Sequence, residues 1–237
     1  MHPELITFTG IDERTDVRRM AKLASQYPVE WGILFSPKRQ GRENRYPAFH
    51  HIEWILDNAP GLRYAAHLCG QDARDVLERG KSAHDELLHA YFTRVQINTT
   101  QHVDTTAVSE WANALSLSVI VQCRASFPSD GKVEWLFDKS GGRGIEQTIW
   151  PQPAMGQRCG YAGGLNPTNA ANAVKSMTAG SPQARYWIDM ESGVRDERDW
   201  FSLTKCRAVC EAIYGSAIGG VSPSDMRASD GAKENGK

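Results

Sequence analysis

Three glycine-bearing clusters stand where backbone amides could cradle an anion: Asp138-Lys139-Ser140-Gly141-Gly142-Arg143-Gly144, Tyr161-Ala162-Gly163-Gly164-Leu165-Asn166-Pro167 and Asp189-Met190-Glu191-Ser192-Gly193-Val194. Glycine reaches positive φ and lets the backbone approach a ligand closely, so its N–H groups can line a phosphate. Tight turns alone would account for one such cluster; three in succession favour a phosphate site. A different chemistry is open to His67 and Cys69, which would point the same way from one strand. With Cys123 and Cys159 near later strand ends, that set could converge on zinc. Buried cysteine is commonly a small apolar residue, so metal is the lesser reading, and Cys206 and Cys210 are read as packing. Gln96, Asn98, Gln122 and Arg124 also fall near strand ends, either to read a ligand's hydroxyls or carboxylate or as solvated loop residues.

The elements that would position these groups alternate along the chain. Apolar and β-branched runs predict strands at 5–9, 30–35, 62–68, 93–97, 118–123, 133–137, 158–162 and 185–190. Helices are predicted at 13–26, 48–58, 71–80, 104–115, 167–178 and 198–213, the fifth entered through Asn166-Pro167. Such alternation argues for parallel pairing, because each crossover must return over the sheet. A closed (β/α)8 TIM barrel fits this count better than a doubly wound sheet, and it places all three glycine clusters on one face. The nine residues between Cys123 and Val133 are too few for an ordinary helix, which predicts an irregular connection between the fifth and sixth strands.

Composition narrows the function classes. The 237 residues are enough for one barrel of roughly 250 residues. With 27 Lys+Arg against 28 Asp+Glu, no basic surface calls for nucleic acid or an anionic membrane. No apolar run approaches the roughly 20 residues of a spanning helix, and the first residues do not read as a signal peptide. Five scattered cysteines suit a reducing, cytoplasmic setting. The barrel is expected over residues 1–214, with 215–237, rich in Gly, Ser, Ala and Lys, as a flexible tail.

The order and spacing of Leu136-Phe137-Asp138, Gly141-Gly142-Arg143-Gly144 and Trp150, then Ala162 through Pro167, then Ile188-Asp189 and Ser192-Gly193-Val194, resemble phosphoribosylanthranilate isomerase. Thr9-Gly10-Ile11, Gly32 through Lys38, Arg45-Tyr46 and Val95-Gln96 resemble its earlier parts more loosely. The resemblance implies a (β/α)8 barrel, no metal or organic cofactor, and an Amadori-type isomerisation of a phosphorylated sugar amine. It implies Asp138 as the acid that opens the sugar ring and Arg45 as the partner of a substrate carboxylate. Gly163, Gly164, Ser192 and Gly193 fall on its phosphate loops; Gly142 and Gly144 are further candidates for the phosphate site, and Asp189 and His67 for substrate binding.

Where that family carries a basic cysteine, this chain has Thr9, in Thr7-Phe8-Thr9-Gly10. A hydroxyl is no base near neutral pH without an activating partner. Three outcomes stay open. Asp12, His67 or Cys69 supplies the base, the substrate differs, or the barrel binds a phosphorylated ligand without turning it over.

Overall fold

The computed structural model describes residues 2–139, 144–153, 156–179 and 183–216. All eight expected strands are present: β1 (Ile6–Thr9), β2 (Val29–Phe35), β3 (Tyr64–Cys69), β4 (Arg94–Asn98), β5 (Ser118–Cys123), β6 (Glu134–Phe137), β7 (Arg158–Ala162) and β8 (Arg185–Met190). Each pairs in parallel with the next, and β8 returns to β1, closing the barrel in chain order. The tail expected over 215–237 lies, beyond residue 216, outside the described residues.

Side chains alternate across each strand, which divides the molecule into a shell and a lumen. Phe8, Trp31, Ile33, Val95, Val119 and Ile188 join the large apolar cluster shared with the helices. Leu5, Ile120, Leu136 and Trp187 form a separate small cluster, the apolar plug inside the barrel. Below the plug the lumen is ionic. Arg94 bridges Glu30 (3.3 Å) and Glu134 (3.0 Å), and Arg158 bridges Glu134 (3.0 Å) and Glu4 (2.9 Å). The Arg94 guanidinium lies 4.2 Å from the centre of a Trp187 ring, a cation–π contact. Above the plug the lumen turns polar and opens as the site.

The helices start where local caps dictate. Asp16 accepts from the Arg18 and Arg19 amides, so α1 runs Val17–Ala24 instead of from residue 13. Next come α2 (Phe49–Asn58), α3 (Gln71–Arg79) and a helix the sequence reading did not predict, α4 (Asp85–Tyr91). Asp104 caps α5 (Thr105–Ala114), and Asn166 accepts from the Thr168 and Asn169 amides ahead of α6 (Ala170–Met177). Ser202 caps α7 (Leu203–Tyr214), five residues later than expected, because Arg195 and Phe201 first form a β-bridge.

The connection from β5 to β6 carries no helix, as its length predicts, and none is found between β6 and β7 among the described residues. Aromatic side chains cover that wall instead. Phe127, Phe137, Trp150, Tyr161 and Tyr186 pack edge to face in sequence, with ring centres 5.2–6.5 Å apart. No helix among the described residues is long and apolar enough to cross a membrane.

Candidate functional site

The carboxyl ends of the strands open into a cavity of about 1000 Å³. Strand alternation aims polar side chains from five of the eight strands into it: Thr9 from β1, His67 and Cys69 from β3, Gln96 and Asn98 from β4, Gln122 from β5 and Asp189 from β8. Asp138, the residue after β6, joins them, its backbone N–H tied to the Cys123 carbonyl at 3.0 Å. Arg124 lines the rim, so all four polar strand-end residues singled out in the sequence reach the cavity.

Three of these side chains form one buried cluster. The Thr9 hydroxyl donates to Asp189 Oδ1 at 2.8 Å, and His67 Nε2 lies 3.4 Å from that hydroxyl and 3.8 Å from Asp189 Oδ2. Burial pushes the Asp189 carboxyl up to about 8, with the Thr9 hydrogen bond working against the shift. Burial, with nearby Arg94, lowers His67 to about 3, so the imidazole is neutral despite its acidic neighbour. The close His67–Asp189 approach is therefore a polar contact of largely uncharged groups near neutral pH, not an ion pair. Asp138 lines the same cavity, 4% exposed, with Gln122 Nε2 donating to its Oδ2 at 3.5 Å.

The other half of the cavity is backbone. Gly144, Gly163, Gly164, Ser192 and Gly193 all line it, which gathers the loops after β6, β7 and β8 into one cradle. Their packing leaves no room for side chains. Gly164 has φ +66°, and a Cβ there would collide with the Glu146 backbone; one at Gly193 would collide with the Leu165 carbonyl. Among the described residues, nothing accepts a hydrogen bond from the Gly164, Ser192 or Gly193 amide. The cradle can thus present N–H groups to an anion, as the sequence pattern implied. Gly142 lies outside the described residues.

One of the expected site residues sits elsewhere. Asp12 is absent from the cavity: its carboxylate is fully buried, paired with Arg195 at 2.9 Å, and accepts the Phe201 amide at 2.6 Å. It joins the loops after β1 and β8 and does not face a substrate. Arg45 does reach the cavity edge, but its fork is already engaged. Nη2 and Nε grip Asp199 (2.7 and 3.2 Å), while Nη1 donates to Glu191 (2.6 Å) and to Ser192 Oγ (3.0 Å). Arg45 therefore ties the long loop after β2 to the glycine cradle.

Cys69 lines the cavity with its thiol raised by burial, accepting from Asn98 Nδ2 at 3.1 Å. Among the described residues, no three His, Cys, Asp or Glu side chains are placed to hold a metal ion, so the His67, Cys69, Cys123 and Cys159 set does not converge. Glu191 and Asp199, the partners of Arg45, and Arg195, the partner of Asp12, carry no signal in the sequence; Glu191 and Asp199 stand 146 and 154 residues from Arg45, and only the folded barrel brings them together.

Solved structures share this architecture. The barrel is similar to TrpF from Jonesia denitrificans (TM-score 0.61, 16% identity), covering 90% of this chain and 98% of that one. It is similar to phosphoribosyl anthranilate isomerase from Thermus thermophilus (TM-score 0.58, 19% identity), covering 88% and 98%. A third is a phosphoribosyl anthranilate isomerase in complex with reduced 1-(o-carboxyphenylamino)-1-deoxyribulose 5-phosphate (TM-score 0.57, 12% identity, covering 91% and 100%). No protein-family model matches the chain, and no curated protein matches it.

Proposed function

We propose that the protein is an isomerase of the phosphoribosylanthranilate type, carrying out an Amadori rearrangement on a phosphorylated sugar amine. The observation that carries this reading is one cavity holding Asp138 on one side, the polar Thr9–Asp189–His67 cluster on another, and the glycine cradle along the loops after β6, β7 and β8. The cradle takes the phosphate, and Asp138 gives a proton to the ring oxygen as the sugar opens. The neutral His67 and the amides of Gln96 and Gln122 meet the sugar hydroxyls. The reading calls on no metal, organic cofactor, nucleic acid or membrane. Free cysteines, four of them buried, suit a cytoplasmic setting.

Purified protein given phosphoribosylanthranilate is expected to consume it, followed as loss of the substrate's fluorescence. Asp138→Asn should lower the rate by about 10²–10⁴-fold without loss of ligand binding. Absence of turnover by the intact protein above the uncatalysed background would reject the assignment.

A second reading has its own support. With Arg45 held by Asp199 and Glu191, a substrate carboxylate lacks the partner the resemblance implied. The barrel then grips a phosphorylated ligand while acting on a different amine, or on none. Ribose 5-phosphate raising the melting temperature, with no isomerisation, selects this reading.

Either way Arg45 holds the cradle in place. Arg45→Ala is expected to weaken ribose 5-phosphate binding by roughly tenfold, the loss of about one charge-assisted hydrogen bond at Ser192. Isothermal titration checks it; unchanged affinity would detach Arg45 from the phosphate loops.

A further inference from the structure

The base is the piece the resemblance leaves open, and we infer that Asp189 fills it: its carboxylate removes the C2 proton of the ring-opened substrate, with Thr9 as the residue that positions it. This rests on reading the site as that of a sugar-amine isomerase.

The geometry assigns the pieces. Asp189 lies near the end of β8, beside β1, and β8 is separated from β6, which Asp138 follows, by β7 alone. The acid and the base thus flank the loop that carries Gly163 and Gly164, and a sugar phosphate anchored there lies between them. Thr9 stands where the family has its thiol, but its proton points to Asp189 Oδ1 at 2.8 Å. It is a donor to the carboxylate, the opposite of a base. Gly32 underlies this arrangement, because a Cβ there would collide with Thr9 Oγ1.

The alternatives are weaker. Asp12 is sealed against Arg195, the Cys69 thiol is raised by burial, and the His67 imidazole is made a poor proton acceptor by burial and Arg94. Asp189 is surrounded by Thr9 on β1, Glu30 on β2, His67 on β3, Arg94 on β4 and Glu191 just after β8. The net result is a carboxyl with a raised affinity for protons, hence a stronger base once ionised.

The step balances. Asp138 protonates the ring oxygen as the C1–O bond breaks and the nitrogen lone pair makes C1=N. Asp189 takes the C2 proton, the C2–H pair forms C1=C2, and the C=N pair returns to nitrogen. Asp189 then returns its proton to C1 as the enol's hydroxyl proton passes to Asp138, giving the ketone and restoring both carboxyl groups. No oxidant or reductant is consumed.

The test compares wild type with Asp189→Asn, Thr9→Val and His67→Gln across pH, with phosphoribosylanthranilate as substrate. Asp189→Asn is expected to lose about 10²–10⁴-fold in kcat with KM changed by less than about threefold, while ribose 5-phosphate still raises its Tm. Wild-type kcat should rise with pH through about 8 as Asp189 ionises. Thr9→Val should keep at least about a tenth of the rate with that rise moved to higher pH, because the hydrogen bond favouring the ionised form is gone. Asp189→Asn retaining near wild-type kcat, or Thr9→Val or His67→Gln being the inactive variant, overturns the assignment of the base and leaves the isomerase reading standing. An inactive wild type overturns both.

Discussion

Arg94→Met is expected to destabilise the protein by about 3–5 kcal/mol, the cost of leaving the buried Glu30 carboxylate without its counter-charge, while Glu134 keeps Arg158. Glu30 is fully buried and meets Arg94 Nη2 at 3.3 Å; Glu134 meets Nη1 at 3.0 Å. Removing the guanidinium also strips the cation from the face of Trp187. The Glu30→Gln, Arg94→Met double variant should recover part of the loss, because a neutral amide in place of the carboxylate removes one orphaned charge. Urea unfolding of the single and double variants measures the coupling. A single change costing under about 1 kcal/mol would mean that the ionic floor contributes little beyond packing.

Asp189 predicts an effect of similar size and opposite sign. Its folded-state pKa of about 8 lies above the ordinary carboxyl value of 3.8, so folding favours the protonated form. The stability it contributes is fully present below about pH 4 and is lost as pH rises through 8. His67 runs the other way: with its pKa lowered to about 3 from 6.5, it contributes stability above 6.5 that is lost as pH falls toward 3. The two slopes oppose each other between about pH 4 and 6.5. From about 6.5 to 8 the carboxyl acts alone, and stability should fall by up to about 1.4 kcal/mol per pH unit. Asp189→Asn keeps an acceptor for Thr9 and removes this penalty, so at pH 8.5 it should be more stable than wild type by several kcal/mol, about 10 °C in Tm. Thermal melts of both proteins from pH 5 to 9 test it, and parallel curves would refute it. A residue that is costly to ionise in the fold and needed ionised for chemistry is a familiar trade of stability for activity.

The sequence made the barrel legible because eight strands alternate with turns and helices at a spacing few other folds permit. The irregular connection after Cys123 followed from chain length alone. The helix Asp85–Tyr91 escaped because it is short, although Ser82 and Asp85 bracket its start like a capping box, with the Ser82 amide donating to Asp85 at 3.0 Å. In the site, the glycine pattern was readable because close packing forbids any other residue at Gly164 and Gly193. The partners of Arg45 and Asp12 were not, since nothing local marks a charge that another loop will neutralise. Asp189 was legible as a pocket residue, while its bond to Thr9 spans 180 residues and depends on β1 meeting β8.

The aromatic wall over β5–β7 bears on how the molecule breathes. Strands braced by rings and loops in place of packed helices open at lower free energy than their neighbours, so their amides should be the first of the barrel to exchange with solvent. Asp138 hangs from that sector by the bond between its N–H and the Cys123 carbonyl. A phosphate seated on Gly144, Gly163, Gly164 and Gly193 would stitch the same sector to the loop after β8, so the ligand itself acts as a missing strut. Hydrogen exchange should therefore slow on ligand addition most over residues 118–138 and 158–164, far more than in the helix-backed half.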